Sequence, residues 1–204
     1  MADKPILFSA PMVRAILNSS KTQTRRPLRT GTWWTAEHGV IRMAPAGLAC
    51  TGFARVDCPY GQPNDRLWVR EAWKAHTTFD HLPPRDIPQS HVWYMADDGY
   101  KAESRFRQGM FMPRWASRIL LDVLSVRVER LQDISAADAL AEGIVMLGDD
   151  DGFGLPDGSH FHYTDPRISY WSLWDAINGA GSVEANPWVW VVEFRRSGAD
   201  GREG

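Results

Sequence analysis

The sequence predicts an α+β protein: a small closed or nearly closed β-barrel of mixed strands with a few short helices on its ends. Segments whose apolar residues alternate with a period of two are more numerous than segments with helical spacing, and the helical ones are short. The order of segments is strand, helix, strand, several strands, helix, loop, helix, strand. That order caps a strand-rich unit with helices instead of threading helices between successive parallel strands. A length of 204 residues, 44% hydrophobic and 24% charged, suits one globular domain with insertions.

The elements follow in chain order. Residues 4–8 form a short apolar run and a first strand. Ser9 is placed to cap a helix whose Met12, Ala15, Ile16 and Leu17 make an apolar stripe, and Pro11 is tolerated in its first turn. Asn18, Ser19 and Ser20 end that helix, and residues 22–28 read as extended. Residues 40–43 and 54–56 read as a hairpin with Gly47 and Gly52 as breakers. Residues 65–73, DRLWVREAW, are a strand with Leu67, Val69 and Glu71 on one face and Trp68, Arg70 and Ala72 on the other. The proline-bearing stretch 77–90 is a loop. Residues 92–95 form a strand closed by an Asp98-Gly99 turn, and 118–131 form a long strand. Residues 135–143 are a helix with Ser135 as cap and Gly143 as stop. Residues 143–165, rich in Gly and Asp, read as a structureless loop. Residues 168–178 are a helix with Trp171, Trp174 and Ile177 on one stripe, and 187–195 form the last strand.

Charge is more informative in its distribution than in its sum. The net charge of −2 argues against a uniformly basic nucleic-acid binder. Residues 4–30 nevertheless carry Lys4, Arg14, Lys21, Arg25, Arg26 and Arg29 with no acid, and residues 143–165 carry five aspartates with no lysine or arginine. No apolar run approaches the ~18 residues of a membrane span. The opening MADKPILFS lacks an apolar core of signal-peptide length, which predicts a cytoplasmic protein with no membrane partner. Cys50 and Cys58 make neither a disulfide framework nor a four-cysteine zinc site. The ten tryptophans point to core or groove lining. No glycine loop of the phosphate-cradling or dinucleotide type is present, so no cofactor is expected. His160-Phe161-His162 is too weak a pattern for a metal, and Asp149 to Asp151 with Gly152 lacks the later glutamate of a calcium loop, so no metal is expected either.

The densest chemistry lies in Ser20-Lys21-Thr22-Gln23-Thr24-Arg25-Arg26, where an amine, hydroxyls and two guanidinium groups follow the first helix. With Asn64-Asp65-Arg66-Leu67-Trp68-Val69, then Ala139-Leu140-Ala141-Glu142-Gly143, and then the strand beginning at Trp188, this segment resembles the ASCH domain family in the family's order of motifs. The wording KPILFSAPMVRAIL, CPYG and LWVREAW is similar to its phage and prophage branch. The resemblance implies a PUA-like barrel related to RNA-binding PUA domains, spanning 1–196 with insertions near 29–50, 74–116 and 146–165, and a flexible tail at 197–204. Ser20 stands where the family has glycine. Asn64 stands in the place of a second glycine, where asparagine tolerates left-handed backbone.

Some ASCH proteins are amidohydrolases acting on N4-acylated cytidine, and the resemblance assigns Lys21, Thr24 and Glu142 to their catalytic set. The chemistry is coherent. A threonine hydroxyl needs a base, a lysine of depressed pKa supplies one, and a glutamate orients it or shuttles its proton. The plainer reading is an ion pair beside a strand threonine. Arg25 and Arg26 fall on alternate faces of an extended segment. A guanidinium fork suits a phosphate or a base edge, and the plainer reading, a surface arginine paired with a carboxylate, fits Arg25 better. Trp68 and Trp73 are stacking candidates against core alternatives, and Trp33 and Trp34 are candidates for an exposed platform. Glu71 is a second acid or a barrel-rim ion pair. The expected partner is a nucleoside, RNA or other single-stranded nucleic acid, and three functions stand: amide hydrolysis on a modified nucleoside, binding alone, and metal-independent ribonuclease action.

Overall fold

A computed structural model describes residues 3–28, 32–37, 40–45, 54–55, 58–97, 103–148, 152–162 and 164–198, with 32–37, 40–45 and 54–55 described by strand pairing alone. The Trp33 and Trp34 side chains, Cys50, the Asp98-Gly99 turn, Asp149 to Asp151 and residues 199–204 lie outside that description.

The chain is α+β. Strands β1 (Asp3–Leu7), β2 (Gln23–Pro27), β3 (Thr32–Glu37), β4 (Val40–Pro45), β5 (Ala54–Arg55) and β6 (Arg66–Arg70) come first, with helix α1 (Ala10–Leu17) between β1 and β2. Strands β7 (Trp73–Ala75), β8 (Val92–Tyr94) and β9 (Leu120–Arg130) follow. Helix α2 (Ala136–Ala141), the short pair β10 (Val145–Met146) and β11 (Phe153–Gly154), helix α3 (Pro166–Asn178) and strand β12 (Trp188–Arg196) complete the chain. The main sheet has the order β1-β6-β9-β12-β2, in which β1 runs parallel to β6 and the other neighbours are antiparallel. Among the described residues no ladder joins β1 to β2, so of the closed or nearly closed barrel expected from the sequence the α+β sheet is present and full closure is not. The two edges approach at one point, where Arg26 Nη2 donates to the Leu7 carbonyl at 2.5 Å.

The main core packs α1, α2 and α3 against this sheet through residues such as Val13, Ile16, Leu67, Leu121, Ala139, Tyr170 and Trp174. In α1 the buried residues are Met12, Val13, Ala15 and Ile16, one face of an eight-residue helix. The expected strand 65–73 divides. Leu67, Val69 and Glu71 are buried as the alternation requires, but the chain leaves the sheet after Arg70, and Trp73 pairs with Tyr94 in a separate β7–β8 ribbon. Trp73 then joins Ile87, Val92, Met112 and Ala116 of the 74–116 region in a second, smaller core. The 77–90 loop contains two single-turn 3₁₀ segments, Thr77–Phe79 and Pro84–Asp86. Asn64 has φ of +76°, the left-handed turn foreseen for an asparagine there. Cys58 is a buried free thiol. No helix among the described residues is long and apolar enough to cross a membrane.

The 143–165 segment is not structureless. Val145 pairs with Gly154 and Met146 with Phe153 in an antiparallel register, and Phe153 exchanges backbone hydrogen bonds with His162. Strands of two residues are too short to show a period in sequence, which is why composition alone read as loop.

Candidate functional site

Helix α1 ends in a fixed turn. Asn18 Oδ1 accepts from the Ser20 N–H at 3.0 Å and from Ser20 Oγ at 2.7 Å, and Ser19 adopts φ of +65°. The left-handed residue is therefore Ser19, one before the position where the family's glycine was expected. The Lys21 N–H donates to the Ala15 carbonyl and the Thr22 N–H to the Ala141 carbonyl, each at 2.9 Å. Lys21 is thereby pinned between the ends of α1 and α2.

Glu142 is delivered from the other side. Ser135 and Asp138 form a reciprocal capping box that starts α2, and Glu142 is the residue at its C-terminal cap. Lys21 Nζ donates to Glu142 Oε2 at 2.7 Å and to the Glu142 carbonyl at 2.7 Å, so the amine meets both the acid and the carbonyl end of the helix. Both side chains are buried, at 2% and 4% exposure. Burial lowers the Lys21 pKa from its ordinary value, and repulsion from Arg26 and Arg25 adds to this, while the Glu142 carboxylate opposes it.

Gly143 makes this packing possible. Its φ is +99°, and a Cβ there would lie 3.3 Å from Ala15 Cβ and 3.5 Å from Lys21 Cβ. Gly143→Ala should cost about 1–2 kcal/mol of stability through that backbone strain. Denaturant unfolding measures it, and an unchanged midpoint would show that the turn relaxes.

Arg25 is a second-tier partner. Its buried guanidinium donates through Nη2 to Glu129 at 2.9 Å and to Asp138 at 3.2 Å, and through Nη1 to Glu142 Oε1 at 3.5 Å. Arg127 ties the same cluster together by pairing with Glu129, Glu193 and Asp138. Arg25 is thus committed to carboxylates, as its plainer reading had it, but inside the protein instead of on the surface.

Lys21, Thr24, Arg25, Arg26 and Glu142 line one cleft of about 480 Å³. Arg26 makes no ion pair among the described residues. Its guanidinium sits 5.2 Å from the Phe8 ring centroid while one amino group reaches Leu7. Thr24 is 3% exposed, and its hydroxyl has no hydrogen-bond partner among the described residues. The opposite wall was not anticipated as part of a site. Tyr170, Leu173, Trp174 and Ile177 of α3, and Leu155, Asp157, Ser159 and His160 beyond β11, complete the lining. The α3 spacing 170, 173, 174 and 177 is visible in the sequence, but such a stripe reads as core, and Trp171 lies off it. Ser9 occupies the cap position of α1 without a capping hydrogen bond from its side chain and also lines the cleft.

Trp68, Trp73 and Glu71 do not line this cleft. Trp68 is buried beneath the Arg70 and Arg114 guanidinium groups, 4.5 and 5.7 Å from its ring centroid, so it serves as their platform. Trp73 is fully buried in the second core, edge-on to Trp115. Glu71 accepts two hydrogen bonds from Arg118, from Nε at 3.0 Å and Nη2 at 3.1 Å, and is an internal ion-pair acid. Alternation told which face each residue occupies but not what covers that face.

A wider groove of about 570 Å³ lies in the 74–116 region, lined by Phe106, Arg107 and Phe111 among others. It holds none of the residues singled out from the sequence, and its Arg107 is paired with Asp80. Among the described residues no three His, Cys, Asp or Glu side chains are grouped to hold a metal ion. His160 Nδ1 lies 2.9 Å from Ser172 Oγ, and His162 Nδ1 accepts from the Thr164 and Asp165 N–H groups. Compared with protein-family models, with curated proteins and with solved structures, the chain matches none.

Proposed function

We propose that the chain is an ASCH-type protein that takes an N4-acylated cytidine or a similar modified nucleoside into this cleft and hydrolyses its amide. One observation carries the reading: a buried Lys21–Glu142 pair shares a cleft with Thr24, whose hydroxyl no group among the described residues engages. On this reading the PUA-like barrel of the family survives as an open sheet whose edges are bridged by Arg26 and Leu7.

The chemistry follows from proton counts. A neutral lysine amine has two N–H bonds and one lone pair. Both N–H bonds are directed at Glu142, to its carbonyl and to Oε2, which leaves the lone pair for the Thr24 proton. Thr24 Oγ bonds to the acyl carbon as its proton passes to Lys21 Nζ, and the C=O π pair moves to oxygen. Collapse of this adduct breaks the C–N bond, and the proton on Lys21 goes to the departing N4 amine. Water then cleaves the acyl-threonine ester and releases the acid, with Lys21 again accepting and returning a proton. Arg26, which pairs with no carboxylate among the described residues and has one amino group on the Leu7 carbonyl, offers its remaining amino group to a base edge or a ribose-linked phosphate. A cleft of this volume, apolar on the α3 side with a few polar groups converging opposite, suits a nucleoside-sized ligand.

Binding without cleavage has one observation in its favour: no hydrogen bond joins Lys21 to Thr24. The test is to give the purified protein N4-acetylcytidine and, separately, an end-labelled RNA oligomer. Acetate and cytidine should appear, and the RNA should stay intact. N4-acetylcytidine bound but uncut would establish a binding module, RNA cut without added metal a ribonuclease. A protein that neither binds nor cuts either would end all these readings.

A further inference from the structure

Tyr170 has no role in the reading above, although its environment is hard to explain by packing alone. It is 4% exposed, on the first turns of α3, with its ring tilted against Trp174 at 6.2 Å between centroids. It lines the cleft together with Lys21, Thr24, Arg26 and Glu142. Its hydroxyl has no hydrogen-bond partner among the described residues. A buried phenol normally finds an acceptor, because leaving that donor unpaired sacrifices its hydration for nothing. Elsewhere the fold meets this requirement: Tyr94, the other partly buried tyrosine with a shifted pKa, donates to the Ala116 carbonyl at 2.9 Å. The Tyr170 hydroxyl is not among the buried side-chain atoms sealed off without a partner, so it is reached through the cleft, and its acceptor comes from what enters there.

The kind of acceptor is set by the surroundings. Burial raises the Tyr170 pKa well above its ordinary value, and the Glu142 carboxylate raises it further, against a smaller opposite pull from Arg25 and Arg26. The phenol is thus a neutral O–H donor and not a phenolate. Of the two carboxylates lining the cleft, Glu142 is already claimed by Lys21 and Arg25, and Asp157 accepts from the Ser159 N–H and hydroxyl. A largely apolar wall makes an acceptor that enters as an anion costly to desolvate, so the donor suits an oxygen that enters uncharged and gains negative charge during reaction.

We propose that Tyr170 donates a hydrogen bond to the carbonyl oxygen of the ligand's acyl group and holds that oxygen as it becomes an oxyanion. This rests on the assignment of the cleft to an acylated nucleoside. When Thr24 Oγ bonds to the acyl carbon and the π pair moves to oxygen, the Tyr170 hydrogen bond strengthens. It weakens again when the C=O re-forms and the C–N bond breaks. No proton leaves Tyr170 in either step.

Tyr170→Phe tests this by deleting one oxygen and keeping the ring. Because the hydroxyl bonds nothing among the described residues, the thermal unfolding midpoint should not fall. In the hydrolysis of N4-acetylcytidine kcat should drop by about 10²–10³-fold. The dissociation constant for cytidine, which has no acyl oxygen, should stay within about twofold of wild type. Retained kcat in Tyr170→Phe overturns the proposal while leaving the hydrolase reading intact. So does a loss of kcat matched by an equal loss of cytidine affinity or by a lower midpoint, since that is the signature of a structural role. If the wild type binds N4-acetylcytidine without cutting it, the hydrolase reading fails but the donor is still measurable. Calorimetry should then show Tyr170→Phe weakening N4-acetylcytidine by about tenfold and cytidine hardly at all, and equal affinities would refute the donor. A wild type that binds neither compound refutes both.

Discussion

Glu142→Ala should remove about 3–5 kcal/mol of folding free energy, the largest loss expected from a polar substitution in this protein. The reason is the company Glu142 keeps. Lys21, at 2% side-chain exposure, has Glu142 as its carboxylate partner, through a 2.7 Å contact to Oε2. Arg25 also leans on Oε1 at 3.5 Å, but it retains Glu129 and Asp138 at 2.9 and 3.2 Å. Deleting the acid therefore strands the lysine far more than the arginine. The reverse change is gentler. In Lys21→Met the Glu142 carboxylate keeps Arg25, and a loss of about 2 kcal/mol is expected. The double variant Lys21→Met with Glu142→Leu should recover most of the stability lost in Glu142→Ala, since an apolar pair of similar volume has no charge to desolvate. Urea unfolding of the variants measures all of this. A Glu142→Ala protein within 1 kcal/mol of wild type, at roughly the scale of an exposed pair, would mean that water reaches the pair in solution.

The same cluster shows what a sequence makes legible. Lys21, Thr24 and Arg26 lie within one strand and its approach, and an acid-free segment marks itself without any structure. The pairing with Glu142 came only from the order of the ASCH-like motifs, because nothing in local periodicity links positions on β2 and at the end of α2. Strand 120–130, helix 136–141 and helix 166–178 were each readable from spacing and caps, since Ser135 and Gly143 state their roles chemically. Closure of the sheet was not readable, because edge pairing between β1 and β2 is a long-range event with no sequence period. Glu71 and Trp68 misled for a related reason. An acid alternating with Trp and Arg looks like a site, and only the approach of Arg118, Arg70 and Arg114 turns it into internal pairing. Tyr170 escaped notice because an aromatic at a buried helical position is the most ordinary core pattern there is. What distinguishes it is a missing hydrogen bond, which no sequence displays.

Lys21→Met should abolish hydrolysis, with a loss of about 10²–10⁴-fold, and the pH dependence should show why. Lys21 works as a base only when neutral. Burial together with Arg26 and Arg25 lowers its pKa below the ordinary 10.5, and Glu142 pushes the other way. The rate should therefore rise with pH through a single ionisation below 10.5 and level off above it. The stability sign runs in the same direction. Between the lowered folded pKa and 10.5 the unfolded chain holds more protons on this lysine than the folded one, so stability gains with rising pH in that window and is lost as pH falls through it. Lys21→Met should flatten that slope. Glu142→Gln separates base strength from orientation. It withdraws the negative charge that raises the Lys21 pKa while leaving an oxygen to accept from the amine, so the rise in rate should move to lower pH even as the plateau falls. A general base assigned to Glu142 itself predicts the opposite, a Glu142→Gln profile without its acid-side limb and a Lys21→Met enzyme that still turns over. Recording kcat/KM from pH 5 to 10 for wild type and both variants decides between them. A rate that falls with pH across the Lys21 ionisation would remove the amine from the role of base, because only its charged form would then be active.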